Sequence, residues 1–167
     1  MTRLDALVNN AAVASFPQDM PFTQQMASAY ATNSTGPWLT VEHFAPLLKK
    51  SKTTQRIINV STGMGSLELR LKPEMMAYNL QAVQYRSSKA ALNMISCCQA
   101  VEYGPLGWKV FVFCPGFTES KLGPNNNAAN GAKPTSEGAA PMVKILNGDR
   151  DADHAKFVHD IDGYYPW

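Results

Sequence analysis

Three short apolar runs, each stopping abruptly on small or turn-forming residues, constrain this chain more than any other feature. Leu4-Asp5-Ala6-Leu7-Val8 closes on Asn9-Asn10-Ala11-Ala12, Arg56-Ile57-Ile58-Asn59-Val60 on Ser61-Thr62-Gly63, and Val110-Phe111-Val112-Phe113-Cys114 on Pro115-Gly116. Runs of this kind read as buried strands. Helical stretches lie between them. Residues 23–50 carry Met26, Tyr30, Trp38, Val41 and Leu48 at helical spacing, with Gly36-Pro37 set to bend or interrupt the helix. Residues 85–103 carry Ala90, Ala91, Leu92, Met94, Ile95, Cys98 and Val101 and end at Gly104-Pro105. Thr135 is placed to cap a last helix to Leu146, strained at Pro141, and Phe157-Val158 can form a final short strand. Strands alternating with helices predict an α/β fold, a parallel sheet covered on both faces. Ligands of such a sheet bind beyond the carboxyl ends of its strands, and Asn10, Ser61 and Pro115-Gly116 all fall there.

Composition excludes several classes. A chain of 167 residues buries about 70% of its unfolded surface, enough for one core, so residues 1–167 read as a single domain. Residues 66–84, without clear period, read as an inserted loop. The polar, Asn-rich residues 123–134 read as a mobile loop with too little apolar content to pack. A net charge of +2 is too mild to imply nucleic acid, and Lys49, Lys50 and Lys52 suit a solvated helix C-terminus. Cys97, Cys98 and Cys114 form no C-x-x-C pair and suit small buried apolar residues in a reducing compartment. His43, His154 and His159 lack metal-ligand spacing. With neither a charged leader nor an apolar run of 18 residues, the expectation is a cytoplasmic protein without a membrane partner.

Four residues in one order, Asn33, Ser61, Tyr85 and Lys89, point to chemistry. Tyr85 and Lys89 are four apart on a helix and project from one face. A neighbouring ammonium favours the phenolate and lowers the tyrosine pKa, which suits acid–base work on a carbonyl and alcohol. Ser61 can hydrogen-bond the carbonyl oxygen as charge develops. The bare Y-x-x-x-K pair is unspecific in a chain with six tyrosines.

The surrounding residues are more specific. Asn9-Asn10-Ala11 is similar to the N-N-A-G strand end of the short-chain dehydrogenase/reductases, and Asn33 with Gly36 to that family's helix asparagine. Ser61 stands where the family has its serine, and Tyr85-Arg86-Ser87-Ser88-Lys89-Ala90-Ala91-Leu92 resembles its Y-x-x-S-K-A-A-L signature. Cys114-Pro115-Gly116 resembles the P-G turn that faces the nicotinamide, and the Pro166-Trp167 ending is similar to one found in bacterial and fungal members. The resemblance covers essentially the whole chain. It implies a Rossmann-like doubly wound sheet and hydride transfer between a nicotinamide and a small-molecule carbonyl or alcohol, of carbonyl-reductase-like type. By it, Tyr85 protonates the substrate oxygen, Lys89 binds the ribose and lowers the Tyr85 pKa, Ser61 orients the carbonyl, and Asn33 holds a relay water and the helix geometry. Asn10, Ala11, Tyr85, Lys89, Pro115 and Gly116 would border the coenzyme, with Ser120 or Thr118 on its carboxamide. NADP(H) is expected in preference to NAD(H).

Three departures follow. Ala12 replaces the last glycine of N-N-A-G, and Ser61 and Tyr85 stand 24 apart, which places an insertion beside the substrate cleft. The family's glycine-rich loop and first three strands, roughly 80 residues at ordinary unit length, have no counterpart, and Gly63-Met64-Gly65 does not replace that loop. The expectation is therefore an N-terminally truncated catalytic portion with a weak hold on the pyrophosphate and a first strand open to self-association. The alternative is a catalytically inactive fragment or pseudoenzyme that binds a partner. A serine hydrolase, with Ser61, His154 and Asp149, Asp151 or Asp153, is a further alternative, but Asn59 stands where a nucleophile elbow has glycine.

Overall fold

The computed structural model describes residues 2–160 and 162–167. Strands β1 (Ala6–Asn9), β2 (Arg56–Val60), β3 (Lys109–Cys114) and β4 (Phe157–His159) run parallel in that order, and a short β5 (Gly163–Tyr164) returns antiparallel beside β4. The apolar runs of the sequence are these strands. In register, Leu7 lies beside Ile57 and Val110, and Val8 beside Ile58 and Phe111. Alternate side chains therefore feed two cores. Ile58, Val60, Phe111, Phe113 and Val158 pack with Ile145 of helix α5 (Thr135–Asn147). Ile57 and Val110 pack on the other face with Val41, Ala45 and Leu48 of α2 (Gly36–Leu48) and Ala100 and Tyr103 of α4 (Val83–Tyr103). The Tyr103 ring stacks on Trp108 at 4.8 Å. This is the doubly wound α/β arrangement the sequence predicts.

Several local expectations change. The stretch 23–50 is two helices, α1 (Phe22–Tyr30) and α2, separated by a π-helical segment Ala31–Thr35. The helical backbone runs on through this segment, whose wider turn bonds the Gly36 N–H to the Ala31 carbonyl and lets the helix pass Pro37, which has no N–H to give. The inserted segment 66–84 is not all loop. It holds a one-turn helix α3 (Leu67–Arg70), capped by the Ser66 hydroxyl accepting from the Leu69 N–H, and α4 begins two residues before Tyr85. Arg86 gathers the segment by donating to the carbonyls of Met64, Ala77, Leu80 and Gln81. One turn is too short to show a period.

Thr135 is the first residue of α5 rather than its cap, its hydroxyl donating instead to the Glu119 carbonyl at 3.3 Å, and the helix continues through a buried Pro141. Within residues 123–134 most side chains are exposed and Ala132 is buried; Lys133 bridges to Thr118, and Asn126 and Asn127 close turns with their side chains. Of the cysteines, Cys114 is buried as expected, while Cys98 is exposed on the outer face of α4; all three are free. Among the described residues no helix is long and apolar enough to cross a membrane.

Candidate active site

The carboxyl edge of the sheet is built by α4 and the π-helical segment. The Asn33 side chain accepts from the Val13 N–H and donates to the Val13 carbonyl, both at 2.8 Å, and its amide also reaches the Ser88 hydroxyl at 3.0 Å. Ser34 donates to the Ser88 carbonyl at 2.7 Å, and Ser88 donates to the Tyr85 carbonyl at 2.8 Å. Asn33 thereby ties the loop after β1 to the helix turn that carries Tyr85 and Lys89.

Lys89 is 2% exposed, and its ammonium donates to the carbonyl of Val60, the residue before Ser61, at 2.7 Å. Burial pushes its pKa down to about 8, with Cys114 opposing. Burial first, and Cys114 second, push Tyr85 above its ordinary value. The expected lowering of Tyr85 by Lys89 is not found: desolvation moves the phenol up and the ammonium down, and Lys89 still carries its proton at neutral pH. The phenol is the acid form of this residue at neutral pH. Its hydroxyl makes no hydrogen bond among the described residues, and Lys89 spends one ammonium donor of three. Two buried polar groups with donors to spare fit a vicinal diol such as a nicotinamide ribose. Ser61 gives its proton to Asn93 Oδ1 at 2.7 Å, a partner the motif did not suggest. Its signal was in the sequence: Tyr85, Lys89 and Asn93 recur every four residues along one face.

The other candidates divide. Asn10 and Ala11 follow β1 at this edge and are exposed, while the preceding Asn9 is buried, its amide on Asn59 Oδ1 at 2.8 Å. Gly116 takes φ +75° in the turn after β3. Thr118 donates to the Pro115 carbonyl at 3.0 Å and is packed so closely that a Cβ at Gly138 would lie 2.5 Å from its hydroxyl oxygen. Ser120 is exposed and accepts from the Leu122 N–H. The hydrolase triad does not form. His154 accepts the Val110 N–H at the opening of β3, Asp151 pairs with Arg56, and Asp153 with Arg150 and Lys156. His43 bonds Leu39 within α2, His159 stacks on Tyr165 at 4.0 Å, and no metal-binding cluster occurs among the described residues.

This edge, with its Asn33, Ser61, Tyr85 and Lys89, was compared with known proteins. A family model described as short chain dehydrogenase matches residues 1–131. The chain belongs to that family. The short-chain dehydrogenase anuI of Penicillium roqueforti is 34% identical over 145 residues, which cover 84% of this chain and 56% of that protein. The C-signal of Myxococcus xanthus is 26% identical over 168 residues, covering 98% of this chain and 93% of its own. The structure of NADPH-bound carbonyl reductase from chicken fatty liver superposes with a TM-score of 0.79 at 28% identity, covering 99% of this chain and 67% of that one. This short-chain dehydrogenase chain therefore spans a little over half the length of anuI and two thirds of the chicken enzyme.

Proposed function

We propose that the chain carries the catalytic portion of a nicotinamide-dependent oxidoreductase that reduces a small-molecule carbonyl to an alcohol. One observation supports this above the others: the Tyr85 hydroxyl makes no hydrogen bond among the described residues and stands four residues from a lysine with ammonium donors to spare. A protonated phenol is the form that can donate to an oxygen gaining negative charge. The reduced nicotinamide would supply the hydride when bound. Tyr85 would deliver the proton, and Lys89 would hold the ribose hydroxyls. Pro115, Gly116 and the packed Thr118, in preference to exposed Ser120, would border the nicotinamide, with Asn10 and Ala11 at the same edge. Asn33 acts through the helix it holds. NADPH is the coenzyme to test first, because the chicken carbonyl reductase was solved with it. The outer edge of β1 pairs with no strand among the described residues, which supports a partner segment or second copy there.

The test is titration of NADPH followed by its fluorescence, with reduction of a reactive aldehyde in parallel. Tyr85→Phe should lower kcat by about 10²–10⁴ and leave NADPH binding within a few-fold. Undiminished turnover in that variant would overturn the assignment.

A further inference from the structure

Gly63 and the aromatic stretch Tyr164-Tyr165-Pro166-Trp167 lie far apart in the sequence, and the fold brings them together. Beyond β4 the backbone returns along the strand, the Tyr165 N–H donating to the Phe157 carbonyl at 2.9 Å. The Tyr165 ring lies flat on His159, with centroids 4.0 Å apart, and edge-on to Phe157 at 5.5 Å. Trp167 stacks on Phe157 at 5.7 Å, and its backbone oxygen accepts the Glu68 N–H of α3 at 3.1 Å. Residues 163–167 therefore cross the carboxyl edge from β4 to the turn after β2. At that turn the fit is tight. A Cβ at Gly63, two residues past Ser61, would lie 3.0 Å from Tyr165 Cε2 and 3.3 Å from Cζ, the carbon that bears the hydroxyl, with Leu69 Cδ1 at 3.4 Å. Gly63 has no left-handed backbone to require glycine, so the ring is what the missing side chain makes room for. Tyr165 also packs on Val112, Cys114 and Phe157. Its ring thus stands between the ends of β2 and β3, which carry Ser61 and Pro115-Gly116. The ring is half-buried, and its hydroxyl makes no hydrogen bond among the described residues. Burial first, and Cys114 second, push the phenol up to about 12, so it keeps a proton to give.

We propose that Tyr165 is a specificity-determining residue, its hydroxyl donating to a hydrogen-bond acceptor that the substrate carries beside its reacting carbonyl. Resting on the carbonyl-reductase reading, this gives the cleft two phenols with separate duties. Tyr85 serves the oxygen that gains charge, and Tyr165 serves a second oxygen or nitrogen beside the Gly63 turn. The substrate class is a carbonyl compound with a second acceptor, such as an ester, an amide or a ring nitrogen, in preference to a bare hydrocarbon. A site that offers a hydrogen bond discriminates against the analogue that cannot take it, because its own polar group is then left unpaired. His159 and Gly63 hold the ring from its face and its edge. The Gly63-Met64-Gly65 turn, which does not replace the phosphate loop, gains a purpose: its first glycine admits the ring to the cleft.

The test is kinetic and structural, on the whole chain with NADPH. The probes are benzaldehyde, its ring-nitrogen isosteres pyridine-3-carboxaldehyde and pyridine-4-carboxaldehyde, and the longer esters methyl 3-formylbenzoate and methyl 4-formylbenzoate. Intrinsic reactivity cancels in the ratio of variant to wild type for each aldehyde. For at least one acceptor-bearing aldehyde, Tyr165→Phe should lower kcat/KM by about fivefold more than for benzaldehyde, with NADPH affinity, read from its fluorescence, within about twofold of wild type. An equal loss on every aldehyde, or a loss confined to NADPH affinity, would overturn the proposal. A double-mutant cycle of Gly63→Ala and Tyr165→Ala, read from urea midpoints, needs no turnover. Gly63→Ala should destabilise the wild-type chain and be tolerated once the ring is gone, while the entropy gained by replacing glycine is common to both backgrounds and cancels. Additivity would overturn the contact, and the proposal with it. Coupling in a wild-type chain that reduces none of these aldehydes would support the placement of Tyr165 and count against the carbonyl-reductase reading.

Discussion

The two faces of this sheet are built from different chemistry. Towards α5, the strands present Val8, Ile58, Val60, Phe111, Phe113 and Val158, all apolar. Towards α2 and α4, the next residues along the same strands include Asn9 and Asn59, with Ser61 just past β2, against Lys89, Asn93, Ser96 and Gln99. Asn9 donates to Asn59 Oδ1, and Asn59 donates to Ser96 Oγ and Gln99 Oε1, each at 2.8 Å. The α2/α4 face keeps an apolar core of its own, Ile57 and Val110 against Val41, Ala45 and Leu48, and adds this polar network towards the carboxyl ends of the strands. Buried polar groups add little net stability when satisfied but cost heavily when a partner is lost, so a face made of them has a single acceptable geometry. That is what a site needs and what a hydrophobic core does not provide.

The largest effect belongs on the apolar face. Phe111 is 0% exposed, and Phe111→Ala should cost about 3–5 kcal/mol in urea unfolding through lost burial and a cavity. A loss below about 1 kcal/mol would break the contrast, since the core would then be collapsible. On the polar face the next effect is electrostatic. Burial pushes Lys89 down to about 8, against an unfolded value near 10.4. Below pH 8 both states bind the proton and the cost of burying the ammonium is fully present. Between about 8 and 10 the unfolded chain binds more protons than the folded one, so stability rises with pH, by on the order of 3 kcal/mol over the full window. Cys97 and Cys114, pushed up by burial, act in the opposite sense in both proteins. The difference between wild type and Lys89→Met, followed by thermal melts from pH 7 to 10, isolates the lysine. A difference that does not change with pH would mean that Lys89 is well solvated.

The same contrast explains what could be read in the sequence. The apolar face announces itself: β3 is an unbroken apolar run, and every one of its residues from Val110 to Cys114 is buried. Helix α4 misleads. Its apolar residues Met94 and Val101 are 65% and 78% exposed, while Tyr85, Ser88, Lys89, Asn93, Ser96 and Gln99 point inward. Hydropathy ranks side chains by their aversion to water, so a buried face whose polar groups pair with one another, with Gln99 Nε2 left over, reads as a solvent face. Tyr85 and Lys89 were legible because their chemistry is distinctive. Asn93 and Asn59 were not, because an asparagine reveals its role only when its partners are in place.

Asn59 supplies the intermediate case. Asn59→Ala leaves Asn9, Ser96 and Gln99 short of partners at sites that water cannot fill, and should cost about 2 kcal/mol in urea unfolding. Because Asn59 touches α4 at Ser96 and Gln99, within two turns of Asn93, NADPH-dependent turnover should fall with it. A variant as stable as wild type would show the network to be incidental.

The smallest effect lies where the two faces receive their helices. Helix α5 enters from Pro134 at φ −54°, whereas α4 starts from Ala82 at φ 38° and ψ 45°, in the left-handed region. A Cβ there costs roughly 1 kcal/mol. The conformation persists because Arg86 collects the carbonyls on the approach and its own N–H closes on the Ala82 carbonyl at 2.9 Å, so the turn is over-determined. Ala82→Gly removes the steric cost but adds about 0.5 kcal/mol of chain entropy, for a net gain of about 0.5 kcal/mol. Ala140→Gly in the exposed interior of α5 carries no strain to relieve and should lose about 1 kcal/mol instead. Opposite signs in the two melting temperatures, a rise of about 1–2 °C against a fall of about 2–4 °C, would show that the helix bearing Tyr85 begins under strain that the structural helix avoids. Equal falls would show that Ala82 rests there at no cost, and that the polar face differs from the apolar one in its hydrogen bonds alone.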